Sequence, residues 1–360
     1  MRKLNRSSRI AVGFASVLCA LSIPIAWPVF SADGARARRS GDIVVANRAG
    51  GTISVIDVGS DRVRATLSLP AGPAQPEPMY VVATRSPARI FVGDRANQRV
   101  AVFRSADLKS QGSVPAGRGV FHMEMDARQR QLWVVNDGEG SATVIDPERL
   151  SVRATVPMPA DLIAAGAVPH DVVLDARGDF AYVSFFNVPG PSDVVVKLST
   201  RSLQEEGRQS VGKSPHLSFN GRTREIFVPS QGSNQLQVLD ADTLELRAFV
   251  AIPGAHGAVT SRNGRLFCTT NFPGGGLAAL FCLGARKLDV RGPVDAPFSG
   301  PHNVELTPDA RKLYLTHSGA NTTVSVYDLQ GRDVPKLRTS ISVGQNPFGL
   351  AFVPAVRPER

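Results

Sequence analysis

The chain has 360 residues, a formal charge of +10 and 42% hydrophobic residues, with 33 glycines, 26 prolines and three cysteines. That much Gly and Pro suits short strands joined by many turns, and no long amphipathic helical pattern competes with this reading. Beyond the first residues there is no long basic run and no basic stripe interleaved with aromatics, which disfavours dedicated nucleic-acid binding.

Arg2, Lys3, Arg6 and Arg9 precede an uncharged apolar run from Ile10 to Phe30. A basic start, an apolar middle and small residues at Ser31 and Ala32 form the pattern of a secretory signal peptide over residues 1–32. A retained anchor is the alternative, because the run is long enough to span a bilayer, although Pro24 and Pro28 interrupt it. Cleavage removes four positive charges and no negative ones, taking +10 to +6. The expected product is a periplasmic or secreted monomer with no stable membrane span. Residues 33–40, with Arg36, Arg38 and Arg39, read as a basic disordered tail, and residues 355–360 as a short C-terminal one.

From residue 41 onward one unit recurs. A strand opens on Ile43, Phe91, Trp133, Tyr182, Phe227, Phe267 and Tyr314, and each is followed by a Gly/Asn-rich loop such as Asn47 to Gly51 or Ser230 to Asn234. Such loops suit tight hairpins, since Gly and Asn accept positive φ at little cost. Next come the cleanest period-2 runs, among them 52–57, 142–146, 235–240 and 323–328, which predict half-buried strands. A polar turn and a fourth strand close each unit, as at 64–69 and 153–157.

An inner strand introduces each unit after the first, and its start carries the most repeated signal. Gly-Pro-His-Asn-Val-Glu at 300–305 has relatives around His122, His170, His216 and His256, with Met79 and Phe348 in the same place in two further copies. Successive positions lie 43, 48, 46, 40, 46 and 46 residues apart. That period with strand-like units predicts an all-β, seven-bladed β-propeller of four-stranded blades over residues 41–354. The first unit lacks an inner strand and the last inner strand, 348–353, has nothing after it, so the C-terminal strand is expected to close the first blade.

The stretches 227–240 and 314–328, each followed by a Gly-x-x-Pro-His or Gly-x-Asn-Pro type of turn, resemble the YVTN-repeat family of exported seven-bladed propellers. The resemblance implies the fold. It says little of activity, because that family includes surface-layer, periplasmic binding and quinoprotein-associated members.

Inner strands of a propeller line its channel, so His122, His170, His216, His256 and His302 are expected in one funnel, with His317 facing His302 from the next strand. Each imidazole taken singly has a plainer role, bonding a backbone carbonyl to hold an inter-blade turn. Five in succession favour a transition-metal site, copper or zinc, to which Met79 would add a thioether. Asp94, Asp137 and Glu139 lie in loops on the same face. The competing readings are a non-catalytic module that presents its loop face to a periplasmic protein partner, a cell-envelope polymer or a quinoprotein, and a lactonase-like hydrolase. The funnel reads as acid-poor for the hydrolase, and no Gly-x-Ser-x-Gly, Cys-x-x-Cys or phosphate loop occurs. Cys268 and Cys282 stand symmetrically about Gly275. An unbulged hairpin would place them opposite each other within disulfide range, the alternative being two small buried core residues.

Overall fold

The computed structural model describes residues 41–272, 280–330 and 334–356. The leader, the basic tail and the tip of the hairpin between Cys268 and Cys282 lie outside these residues. Seven four-stranded antiparallel sheets stand side by side as the blades of a propeller. Among the described residues no helix is long and apolar enough to cross a membrane.

Numbered in chain order, blade 1 combines Gly41–Asn47 and its two successors with the C-terminal strand Pro347–Pro354, which takes the inner position. Gly41 pairs with Pro354 and Val44 with Ala351, so the first and last strands of the described chain close one sheet. Closure leaves no blade with an unmatched inner edge. The period-2 runs form the third strands, at Thr52–Asp57, Gln235–Asp240 and Thr323–Asp328. Sequence missed one short element, the helix Ala160–Ala164, which bridges blades 3 and 4 with Leu162 turned inward.

Blades stack face to face, which is why their inner strands carry apolar side chains on both faces rather than an alternation. Between blades 2 and 3, Phe91, Val100 and Val102 meet Val120, Leu132 and Val134. Fourth strands lie at the rim and keep the alternation: Arg62–Ser68 is exposed and half-buried in turn.

In blade 6 the register sets Cys268 opposite Cys282, and the two form a disulfide with Cα atoms 4.1 Å apart. Both sulfurs lie in an apolar cluster with Leu313, Leu315 and Tyr327. A bridge closing a 14-residue span should contribute about 2–3 kcal/mol by restricting the unfolded chain. C268S/C282S is therefore expected to remain folded and melt about 5 °C lower. An unchanged melting temperature, or two freely alkylated thiols in the folded wild type, would contradict this.

Candidate functional site

Each inner strand begins at the channel mouth, and six of the seven slip register there. The ladder breaks between Pro78 and Val81, Val120 and Met123, Pro169 and Val172, Ala255 and Ala258, and Pro301 and Val304, and opposite Pro347 to Leu350 in blade 1. A bulge re-aims side chains, and these bulges fall on the repeated histidine position. In blade 5 the chain instead makes an isolated bridge, Pro215 to Ser230, beside His216.

The outcome is a closed circle of rings, one per blade. Tyr80 lies 3.8 Å from His122, His122 5.1 Å from His170, His170 4.7 Å from His216, and His216 3.9 Å from His256, as ring centroids. His256 lies 4.7 Å from His302, His302 4.2 Å from Phe348, and Phe348 5.5 Å from Tyr80. Phe121 and Phe186 pack on His170, and Phe272 on His256 and His302. Above this shell the guanidinium of Arg48 lies over Phe348 and that of Arg95 over Phe121.

Hydrogen bonding fixes several tautomers. His122 Nδ1 donates to Asp171 Oδ1 at 2.8 Å and leaves its buried Nε2 without a partner. Asp171 also accepts backbone N–H bonds from Val172 and Leu217. His256 Nδ1 donates to Gln231 Oε1 at 2.8 Å, again leaving Nε2 bare. His170 Nε2 and His216 Nε2 lie 3.0 Å apart, close enough to share one proton. His302 Nδ1 accepts from Asn303 Nδ2, so its Nε2 carries the proton. His122, His170 and His216 each bring one nitrogen to within 4.8 Å of the others.

Burial disfavours the charged form of four of these imidazoles. It lowers His216 to about 3, Asp171 opposing the shift, and takes His170, His256 and His302 well below the ordinary value, with neighbouring imidazoles adding to the effect. Asp171 is pushed up by burial, but the His122 and His216 imidazoles and its hydrogen bonds bring it below the usual carboxylate value. Imidazoles with bare ring nitrogens, one of them oriented by a carboxylate, are the donor set that metal ions take.

Two expected members stand elsewhere. His317 bonds Ser325 Oγ at 2.8 Å and packs on Phe298, with no ring contact to the circle. Its place at the end of the second strand is filled by Asn47 and Asn136 in blades 1 and 3, whose side chains likewise reach the third strand, at Ser54 and Thr143. His317 thus serves a clasp within its blade. Met79 is fully buried in the apolar cluster with Phe91 and Val100, and its successor Tyr80 supplies blade 2's ring. The loop carboxylates are engaged locally: Asp94 with Arg99, Asp137 with Arg95, and Glu139 with Arg118 N and Ser141 Oγ.

Below the circle a cavity of about 560 Å³ continues down the channel past Asp171, Glu124 and Glu305 to Arg85 and Arg262 at the far end. Contrary to the acid-poor expectation, five acidic residues line this cavity: Glu124, Asp126, Asp171, Asp175 and Glu305. Burial, reinforced by Asp171, Glu305 and Asp126, raises Glu124 to about 8. Burial raises Glu305 to about 7 against the pull of Arg262 and backbone N–H groups. A Glu within an otherwise apolar inner strand was the available signal for both.

Unfolded imidazoles protonate near pH 6.5, whereas His170, His216, His256 and His302 do so only at lower pH in the fold and His317 only at about 4. The unfolded chain then binds more protons below pH 6.5, so these groups withdraw stability as pH falls. Glu124 and Glu305 act in the opposite sense, holding protons in the fold up to about 8 and 7 that the unfolded chain releases near 4.5. Five imidazoles outnumber two carboxyls below pH 6.5, and above it only the carboxyls act. The metal-free protein should be most stable near pH 6.5 when melted between pH 5 and 8.5. A melting temperature that climbs steadily from 6.5 to 8 would contradict this balance.

No family model matches the chain, and no curated protein matches it. Solved structures do. The periplasmic gluconolactonase PpgL of Pseudomonas aeruginosa superposes with a TM-score of 0.68 at 17% identity, covering 88% of this chain and 99% of its own. The hydrazine synthase of Kuenenia stuttgartiensis gives 0.65 at 13%, covering 78% of this chain and 91% of that one. A functionally unknown protein from Desulfotomaculum acetoxidans gives 0.68 at 13%, covering 88% and 100%. At such identities the likeness is one of fold.

Proposed function

We propose that this chain is an exported β-propeller that holds a transition-metal ion, copper or zinc, on His122, His170 and His216 at the mouth of its channel. The supporting observation is the convergence of three ring nitrogens within 4.8 Å, His122 and His216 buried and His170 half-buried, backed by Asp171 on His122 Nδ1. A purely structural turn would leave no reason to bury His122 Nε2 and His256 Nε2 without partners, since an unsatisfied buried polar atom costs about 1–3 kcal/mol. Imidazoles without thiolate suit copper and zinc. The disulfide is compatible with export to an oxidising compartment.

Metal analysis of protein purified without a histidine tag, before and after reconstitution, is expected to find about one equivalent of copper or zinc. H122A, H170A or H216A should each lower metal affinity at least tenfold, and D171N about tenfold to a hundredfold. Less than about 0.1 equivalent in every preparation would sink this reading and favour a module whose loop face meets a protein partner.

The channel carboxyls favour lactone hydrolysis as a second reading, because Glu124 and Glu305 are placed to exchange protons near neutral pH, and one fold neighbour is a gluconolactonase. Glucono-1,5-lactone turnover above background that falls at least a hundredfold in E124Q or E305Q would establish it. Turnover equal to background would remove it.

A further inference from the structure

Three imidazoles supply the nitrogens of the proposed metal centre, which leaves His256 and His302 of the same circle to be accounted for. His302 is occupied: its Nδ1 accepts from Asn303 Nδ2 at 2.7 Å, and the ring also bonds the Phe348 backbone. His256 is not. Its Nδ1–H is tied at 2.8 Å to Gln231 Oε1, so its lone pair stands on Nε2, which is buried without a partner.

The His256 ring lies 3.9 Å from that of His216, one of the three proposed ligands, and is only 6% exposed, with Phe272 packed on it at 4.7 Å. The converging nitrogens belong to His122, His170 and His216, so His256 stands beside the centre rather than in it. Gln231 comes from the short turn Gln231–Ser233 of blade 5 and His256 from the inner strand of blade 6, so two blades together set the ring. Asp171 orients His122 in the same way from the next blade. A ring that only held a turn would be served by its bond to Gln231, and its bare buried nitrogen would be destabilising.

Three protein ligands on a transition metal leave a fourth position for an exogenous molecule. A buried acceptor beside that position discriminates by hydrogen content. A molecule that coordinates through one lone pair and still carries hydrogen on the same atom can donate to Nε2, whereas one that presents only lone pairs meets the His256 lone pair unpaired.

We propose that His256, oriented by Gln231, accepts a hydrogen bond from the molecule at the open position of the His122–His170–His216 centre, and so selects water, ammonia or a primary amine over acceptor-only ligands such as azide. The assignment rests on the proposed metal centre and makes His256 a positioning residue, not a fourth ligand.

Titration of copper(II)-loaded protein with ammonia and with azide at one fixed pH, followed by visible and EPR spectra, tests the assignment. Each ligand is compared across variants, so its own protonation cancels. H256F should keep the copper equivalents and the ligand-free EPR spectrum of the wild type, yet bind ammonia about tenfold more weakly and azide about tenfold more tightly. Q231L frees the ring to carry its proton on Nε2 and should move both affinities in the same directions, serving in place of H256F if that variant does not fold. Q231E keeps an acceptor for Nδ1–H and should retain the wild-type ammonia affinity. Unchanged affinities in H256F and Q231L, or a change of the same sign for both ligands, would overturn the proposal and leave the metal centre standing. A nitrogen lost from the EPR pattern of H256F would also overturn it, by making His256 a ligand. Copper that never loads would remove the centre and this role together.

Discussion

Deleting residues 347–360 is expected to abolish folding, whereas deleting only 355–360 leaves it intact. The strand Pro347–Pro354 is the inner strand of blade 1, and its removal exposes the edge of Gly41–Asn47 along the paired length from Gly41 to Asn47. Phe348, Leu350 and Val353 leave three different inter-blade clusters. At about 2–3 kcal/mol for each buried large side chain, that loss alone rivals the 5–15 kcal/mol by which a domain is usually stable. Soluble yield and the far-ultraviolet melting curve report the result. A cooperative transition in the longer deletion would show that six blades and a three-stranded remnant suffice.

G257A should be the most damaging single methyl group in the channel. A Cβ built on Gly257 would lie 2.0 Å from the carbonyl oxygen of His302 and 3.0 Å from Asn303 Cα. These are backbone atoms and cannot rotate away. The carbonyl is also held by Thr270 Oγ1 at 2.7 Å, and the same hydroxyl accepts from Gly257 N at 2.9 Å. Relief requires blades 6 and 7 to separate at their inner strands, which should destabilise the protein by about 3 kcal/mol or more. Separation would also spread His256 from His302. Thermal unfolding of G257A beside A258G, a change at the next residue, measures the effect. A melting temperature for G257A within 2 °C of wild type would show that the blades yield more easily than this contact implies.

Much of the architecture was legible because it rests on local chemistry repeated at a fixed interval. Third strands such as Gln235–Asp240 open in period 2, although blade stacking buries both of their faces, and Asn- and Gly-containing loops mark the hairpins. The spacing of Cys268 and Cys282 set their pairing as soon as the hairpin was taken as unbulged, and the ladder between them is regular. The missing inner strand before Ile43 and the surplus one after Pro347 identified the closing blade. The repeated Pro-His or similar pair located a shared position from which five imidazoles meet.

Choosing which residue at that position faces the channel required the structure. A bulge adds one residue to one strand, so the alternation that serves along a regular strand cannot be carried through it, and blade 2 presents Tyr80 where the repeat had pointed to Met79. His317 looked like a sixth member because the tight turn before its strand placed it opposite His302, whereas the ladder pairs it with Pro301. Its ring was already committed to Ser325, a contact visible only by comparison with Asn47 and Asn136 in their folded places.

The sequence by itself determined seven units, their strands, the closing strand and the histidine position, since each depends on neighbours a few residues apart or on a repeat of the same local pattern. Tertiary structure decided the rest: the bond from His122 to Asp171 and the lining of one cavity by Glu124 and Glu305. The first joins adjacent blades and the second joins strands of blades 3 and 7, so neither has a spacing of its own to read. Their geometry arises only when the ring closes and brings inner strands from separate repeats around one axis.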